Sequence, residues 1–211
     1  MFRLALLIAL IWPSSLIFGQ RFMITEANGH VIYAGIDNPV SLLVDGKPCN
    51  SIVLKTDNGS IEFTNDQCWF TIIPQRVGFA EVQIFRKSHD KLVLVGTHTF
   101  IVRDLPDPVP YVGNLKWGKV KKSSFFSMGG LISKGEEVHN DGIVKRFTIT
   151  IVREDRCLSS LTNVGYRFEE ATFQMLKLLQ NGDRVLISSI EVVDVLGRNI
   201  TLRPIEYIIA D

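Results

Sequence analysis

Three prolines within five residues, Pro106, Pro108 and Pro110, constrain the folding of this chain more than any other feature. Each ring locks φ and removes a backbone donor, so neither a helix nor a central strand is expected to run through Asp104–Tyr111. The two flanks are therefore read separately. Residues 104–111, centred on Leu105, Pro106, Asp107, Pro108, Val109 and Pro110, are expected as a short, stiff inter-domain connector between residues 20–103 and 112–211.

Upstream, from Phe22 to Arg103, short apolar runs are interrupted by turn residues and no helical period persists. Val40, Leu42 and Val44 alternate and stop at Asp45-Gly46, while Ile52 and Leu54 alternate and stop at Asp57-Asn58-Gly59. Each is a strand meeting a tight turn. A strand from Cys68 to Ile73 closes at Pro74, another runs from Val77 to Arg86, and one from Leu92 to Val102 follows a turn at His89-Asp90. Six or seven strands in about 80 residues read as an Ig-like β-sandwich.

Downstream the pattern is mixed. Lys121–Met128 suits one or two helical turns ended by Gly129-Gly130. Phe147, Ile149 and Ile151 alternate with Thr148 and Thr150, which predicts a strand over Val144–Val152. Phe168, Thr172, Met175, Leu176 and Leu179 share one helical face, with Glu169 and Glu170 placed to oppose the dipole and Asn181-Gly182 as the stop. Val185–Val193 and Asn199–Ile209 read as strands around a turn, with Pro204 marking a bulge or an edge. The expected class is mainly β: an N-terminal Ig-like β-sandwich followed by an α+β domain with small helices.

Residues 1–19 carry the three parts of a secretory signal. Arg3 precedes the apolar run Leu4–Trp12, Pro13-Ser14-Ser15 breaks it, and Ile17-Phe18-Gly19 sets a small residue before Gln20. An uncleaved anchor helix would need about 20 apolar residues, and Pro13 comes too early. Cleavage leaves about 190 residues, enough for one large domain or two small ones, and no transmembrane anchor. Lys and Arg number 23 against 22 Asp and Glu, so the mature chain is close to neutral. That balance argues against nucleic acid as a partner. The oxidising destination favours one disulfide among three cysteines: Cys49 with Cys68 closes a loop of about 20 residues, worth roughly 3 kcal/mol, and leaves Cys157 over. Three unpaired cysteines acting as small hydrophobes is the other reading.

His30, His89, His98 and His139 are scattered and lack partners at metal-ligand spacing, so no metal site or cofactor is expected. His98 alternates onto the face of Phe100 and Val102 and reads as a buried, hydrogen-bonded histidine. Glu136-Glu137 and Glu169-Glu170 are adjacent carboxylates that point apart or oppose a helix dipole. Ser123-Ser124 and Ser159-Ser160 lack a nucleophile elbow and the glycines form no phosphate loop, so no enzyme is expected. Lys116, Lys119, Lys121 and Lys122, with Trp117 among them, read as an interaction patch or a solvated face. Asn58-Gly59-Ser60 and Asn199-Ile200-Thr201 match the short N-glycosylation pattern.

Three segments carry a family resemblance. Tyr33-Ala34-Gly35-Ile36-Asp37-Asn38-Pro39-Val40, then Phe100-Ile101-Val102-Arg103-Asp104-Leu105-Pro106-Asp107-Pro108-Val109-Pro110, then Leu179-Gln180-Asn181-Gly182-Asp183-Arg184-Val185 resemble, in order, the C-terminal half of GldM. That family comprises the periplasmic shaft proteins of Bacteroidota gliding motility and type IX secretion. The resemblance runs from about Phe22 to Asp211; the family's membrane-anchoring helix and helical periplasmic domain have no counterpart in it. It implies terminal domains that pair as homodimers and reach an outer-membrane ring. The function expected from it is a non-catalytic, periplasmic, protein-binding or structural component that docks on envelope proteins of the secretion or gliding machinery. A cell-surface adhesin or glycan-binding β-sandwich module is the alternative, with loops Lys55–Ser60 and Ser88–Lys91 carrying recognition.

Overall fold

The structure, a computed structural model, describes residues 22–26, 29–46, 48–65, 68–89 and 91–210. The expected signal segment and Asp90 of the expected turn lie outside the described residues. The chain is mainly β and divides into two compact units. One takes the described residues up to Ile32 together with Asp37–Val102, the other Tyr33–Ile36 together with Arg103 onward.

The first unit holds two four-stranded sheets. One has the order β1 (Phe22–Glu26), β3 (Asn38–Val44), β6 (Trp69–Ile73), β5 (Ser60–Asn65); the other runs β2 (Val31–Tyr33), β8 (Lys91–Arg103), β7 (Gly78–Ser88), β4 (Ile52–Thr56). Strand alternation sends Val40, Leu42, Phe70 and Ile72 inward from the first sheet and Ala80, Val82, Ile84, Phe100 and Val102 inward from the second. Burying a side chain such as Leu42 contributes roughly 1.5–3 kcal/mol, so this period-two pattern is what fixes the register. Cys49 and Cys68 are joined by a disulfide with their Cα atoms 5.1 Å apart. Cys49 opens the 3-10 turn Cys49–Ser51 that leads into β4, and Cys68 immediately precedes β6. The bond therefore ties one sheet to the other.

The turn at Asp57-Asn58-Gly59 is an interior feature. Asn58 is only 3 % exposed. Its Nδ2 donates to the Arg76 and Phe79 carbonyls at 2.7 and 3.1 Å, and its Oδ1 accepts from the Gln75 and Arg76 amides at 3.1 and 3.0 Å. An amide so engaged has no free nitrogen for a glycan, which removes the modification reading at this site. Asn199 is exposed. Gly59 sits at φ +92°, and a Cβ there would meet the Ile73 carbonyl oxygen at 1.9 Å, so no other residue fits the turn.

The second unit is built on a sheet ordered β10 (Gly118–Val120), β16 (Ile205–Ile209), β14 (Arg184–Val193), β12 (Ile143–Arg153), β13 (Arg156–Val164), with β15 (Asn199–Leu202) also on β14. The β10–β16 pair is parallel and the others are antiparallel. Phe147, Ile149, Ile151, Val185, Ile187 and Tyr207 line the buried face. Over it lie Phe125 of α1 (Lys122–Met128), Met175 and Leu176 of α2 (Glu170–Lys177), and the two-stranded pair β9 (Val109–Val112) and β11 (Leu131–Lys134). Gly129, at φ 68°, ends α1 as the sequence indicates. Helix α2 is shorter than its apolar period. The Asn163 Oδ1 accepts from the Glu169 amide at 2.9 Å and the Thr172 hydroxyl at 2.8 Å, so the helix begins only at Glu170.

Residues 104–111 do not stand free as a connector. They belong to the second unit, because Leu105, Pro108, Pro110 and Tyr111 bury their side chains there and β9 pairs with β11. The Leu105 carbonyl accepts from Arg198 Nη2 at 3.1 Å and the Pro106 carbonyl from the buried Asn140 amide at 2.8 Å. Proline removes donors but leaves carbonyls, and it is the carbonyls that this segment uses.

Candidate functional site

Two of these prolines, Pro108 and Pro110, line an open groove of about 810 Å³ in the second unit. Its lining combines Asp107, Pro108, Val109 and Pro110 with Thr201, Leu202, Arg203, Pro204, Ile205, Glu206 and Ile208, and with Trp117 and Gly118 at the start of β10. Two interruptions in the sheet open this space. Pro204 separates β15 from β16 opposite Ser189 of β14, whose φ of 48° marks a bulge between the two pairings. Strand β10 joins β16 only from Gly118 opposite Tyr207, so β10 does not run beside Ile205 and Glu206. Gly118 turns the chain there at φ 112°, and Trp117 precedes the turn with 58 % of its surface exposed.

A rigid frame stands behind the groove. Tyr207, fully buried and packed edge-to-face on Phe125 at 5.1 Å, accepts from the Val112 amide at 3.1 Å and donates to the Leu115 carbonyl at 2.9 Å. Burial pushes its hydroxyl up to about 12, only partly offset by the Val112 amide, so it stays a donor at physiological pH. On the opposite flank the buried Asp194 carboxylate accepts from the Leu196 and Arg198 amides and pairs with Arg198 Nε at 2.7 Å. Burial alone would raise this carboxyl; the hydrogen bonds from the Arg198 backbone and side chain outweigh it and hold the group below its usual range. Arg198 then reaches Leu105. The proline wall is thereby fastened to the β14–β15 turn.

The basic cluster does not converge. Lys116 pairs with Glu136 at 2.7 Å and lies 5.7 Å from the Trp117 ring centroid; the Tyr111 hydroxyl donates to the same carboxylate. The Lys116 ammonium first, and then that hydroxyl, hold the Glu136 carboxyl below its usual range. This pair is largely exposed and adds little stability. Lys122 instead donates to the Lys177 and Leu179 carbonyls at 2.7 and 2.8 Å, closing the end of α2. Lys121 lies with it beside a shallow depression formed with Ser123 and Phe126, and Lys119 is exposed. Of the five, Trp117 alone lines the groove.

The remaining charged and nucleophilic candidates serve local structure or solvent. Glu137 accepts from the Tyr33 hydroxyl at 3.2 Å, and Glu169 from the Val164 amide at 3.1 Å. Cys157 is a free, exposed thiol. Among the described residues, no three His, Cys, Asp or Glu side chains gather as a metal site. Two histidines far apart in sequence do meet: His30 Nδ1 lies 3.3 Å from His98 Nε2 in the first unit. No helix among the described residues is long and apolar enough to cross a membrane, which says nothing of strands.

Comparison with known protein families and with curated proteins finds no match. Among solved structures, the Clostridium thermocellum CbhA fibronectin(III)-like modules are similar over 89 % of this chain and 94 % of that one, at 16 % identity and a TM-score of 0.28. A likeness of that degree carries no argument about fold or function.

Proposed function

We propose that this chain is a non-catalytic, protein-binding component of a bacterial envelope assembly, exported by its N-terminal signal and working in the periplasm. In this reading the first unit is an Ig-like β-sandwich and the second an α+β module. The resemblance to GldM implies partners in the type IX secretion or gliding machinery and a homodimer as the working state. The supporting observation is the groove, whose proline wall and exposed Trp117 suit an extended segment of a partner protein. Rings that cannot donate leave apolar contact and carbonyl acceptors as the means of recognition, while Asp107, Arg203 and Glu206 supply charge for orientation.

Tagged mature protein, incubated with periplasmic extract from the native host, should retain a ring or motor component. Trp117→Ala should lower that affinity by at least about 2 kcal/mol, as removal of an aromatic hot spot does. Recovery of no such component, or equal recovery by the variant, rejects the proposal. A glycan-binding role at the cell surface is the second reading, favoured by the exposed indole of Trp117, against which a sugar ring can stack. Surface protease shaving separates the two, since only an exposed adhesin would be cut on intact cells.

A further inference from the structure

We propose that His30 and His98 together form a surface site for a divalent transition cation of the imidazole-binding class, with Zn²⁺ as its simplest probe. The inference is independent of the groove and of its partner. The two residues lie 68 positions apart, and the fold of the first unit brings them together. His98 sits on β8 opposite Val82 of β7, with its ring edge-to-face on the fully buried Phe100 at 4.6 Å. His30 follows Gly29, which turns the chain at φ 71°, and its carbonyl accepts the Ile101 amide at 2.9 Å, fastening that turn to β8. One ring is braced by the core and the other is held by the backbone, which is the preorganisation a ligand pair needs.

The spacing identifies what the pair can share. The facing nitrogens, His30 Nδ1 and His98 Nε2, are 3.3 Å apart, and the ring planes are inclined at 40°. Two nitrogens bound to one zinc at about 2.0–2.1 Å with tetrahedral geometry lie about 3.3–3.4 Å from each other. As it stands the contact is a long N–H···N hydrogen bond whose donor depends on the tautomer. The same separation also suits a shared cation, so binding needs little movement of either ring.

The electrostatics agree. Both rings must be neutral to coordinate, and burial first, then the neighbouring His30, disfavours the protonated form of His98. Among the described residues, burial and His30 are what shift His98; Val82 and Phe100 face it with apolar surface. On binding, any N–H between the facing nitrogens moves to the far nitrogen of its own ring, so a neutral pair takes up the cation without losing a net proton. His30 is exposed, and water completes the coordination sphere.

The test uses the mature chain carrying Cys157→Ser, which removes the exposed thiol as a competing ligand. Titration with zinc chloride in a non-chelating buffer, followed by calorimetry and by long-range ¹H–¹⁵N spectra of the imidazoles, should show one ion per chain and perturb His30 Nδ1 and His98 Nε2. His30→Gln and His98→Gln should each weaken binding by about 100-fold or more, while His89→Gln and His139→Gln leave it unchanged. His30 is exposed, so its variant keeps the fold and reports on coordination alone. Absence of saturable binding, imidazole shifts confined to His89 or His139, or full affinity in His30→Gln would overturn the proposal.

Discussion

Asn58 shows how much one polar side chain in a turn can organise. Its amide satisfies two carbonyls and two amides on the approach to β7 and its first residues, so Asn58→Ala removes the partner of four part-buried backbone groups. The expected loss is about 3 kcal/mol, read from urea unfolding. Asp183 is the charged counterpart, 1 % exposed and held by two bonds of 2.7 Å from Arg153 and one of 2.7 Å from the Gln180 amide. The Arg153 guanidinium first, helped by that amide and opposed by burial, holds its carboxyl below the ordinary value. A carboxyl depressed in the folded state contributes stability that is complete above its unfolded value of about 3.9 and is lost as pH falls through the folded one. Urea midpoints taken between about pH 5 and pH 1 should therefore fall for the native chain, and Asp183→Asn should flatten that limb. In the sequence both residues sit beside glycines and read as turn formers. Their burial was not legible, because the segments that bury them lie far along the chain.

At the scale of elements, apolar alternating runs were legible, down to the five residues of β4 and β6, whereas most polar or three- to four-residue strands were not. Strands β7, β8, β12 and β14 span nine or more residues with a clear apolar face, and α1 ends at the expected glycine. Strand β13 carries Ser159, Ser160, Thr162 and Asn163 at the sheet edge, where neither face needs a continuous apolar row. Strands β9, β10 and β11 have three or four residues each and exist through partners distant in sequence. The candidate site divides in the same way. Its proline wall and Trp117 stood out by composition, whereas Ile205, Glu206 and Ile208 line it only because β10 stops short, which no local pattern signals. The disulfide is an element-scale device, since it links the approaches to β4 and β6. Replacing Cys49 and Cys68 with serine should lower unfolding free energy by about 3 kcal/mol, and reductant should do the same to the native chain and nothing further to the variant.

For the molecule as a whole, near-neutral charge leaves recognition to shape and local groups rather than to a long-range field. The composition of the two units also departs from a simple cut at the prolines, because Tyr33–Ile36 belongs with the second unit. There the Ala34 amide donates to the Arg103 carbonyl at 2.9 Å and the Tyr33 hydroxyl to Glu137 at 3.2 Å, and Gly35 fits against Leu196 where a Cβ would come within 3.1 Å. A fragment beginning at Arg103 should accordingly melt below the temperature at which the same unit melts in the intact chain, as calorimetry would record.

That borrowed tetrapeptide changes how the protein can be taken apart. Severing the chain ahead of the prolines discards four residues that the downstream half needs, while the upstream half keeps a short stretch that has lost its mates. Dissecting the two halves cleanly calls for supplying Tyr33–Ile36 to the second one, as a tethered or separately added peptide, and the gain in melting temperature on its return would measure what that stretch contributes.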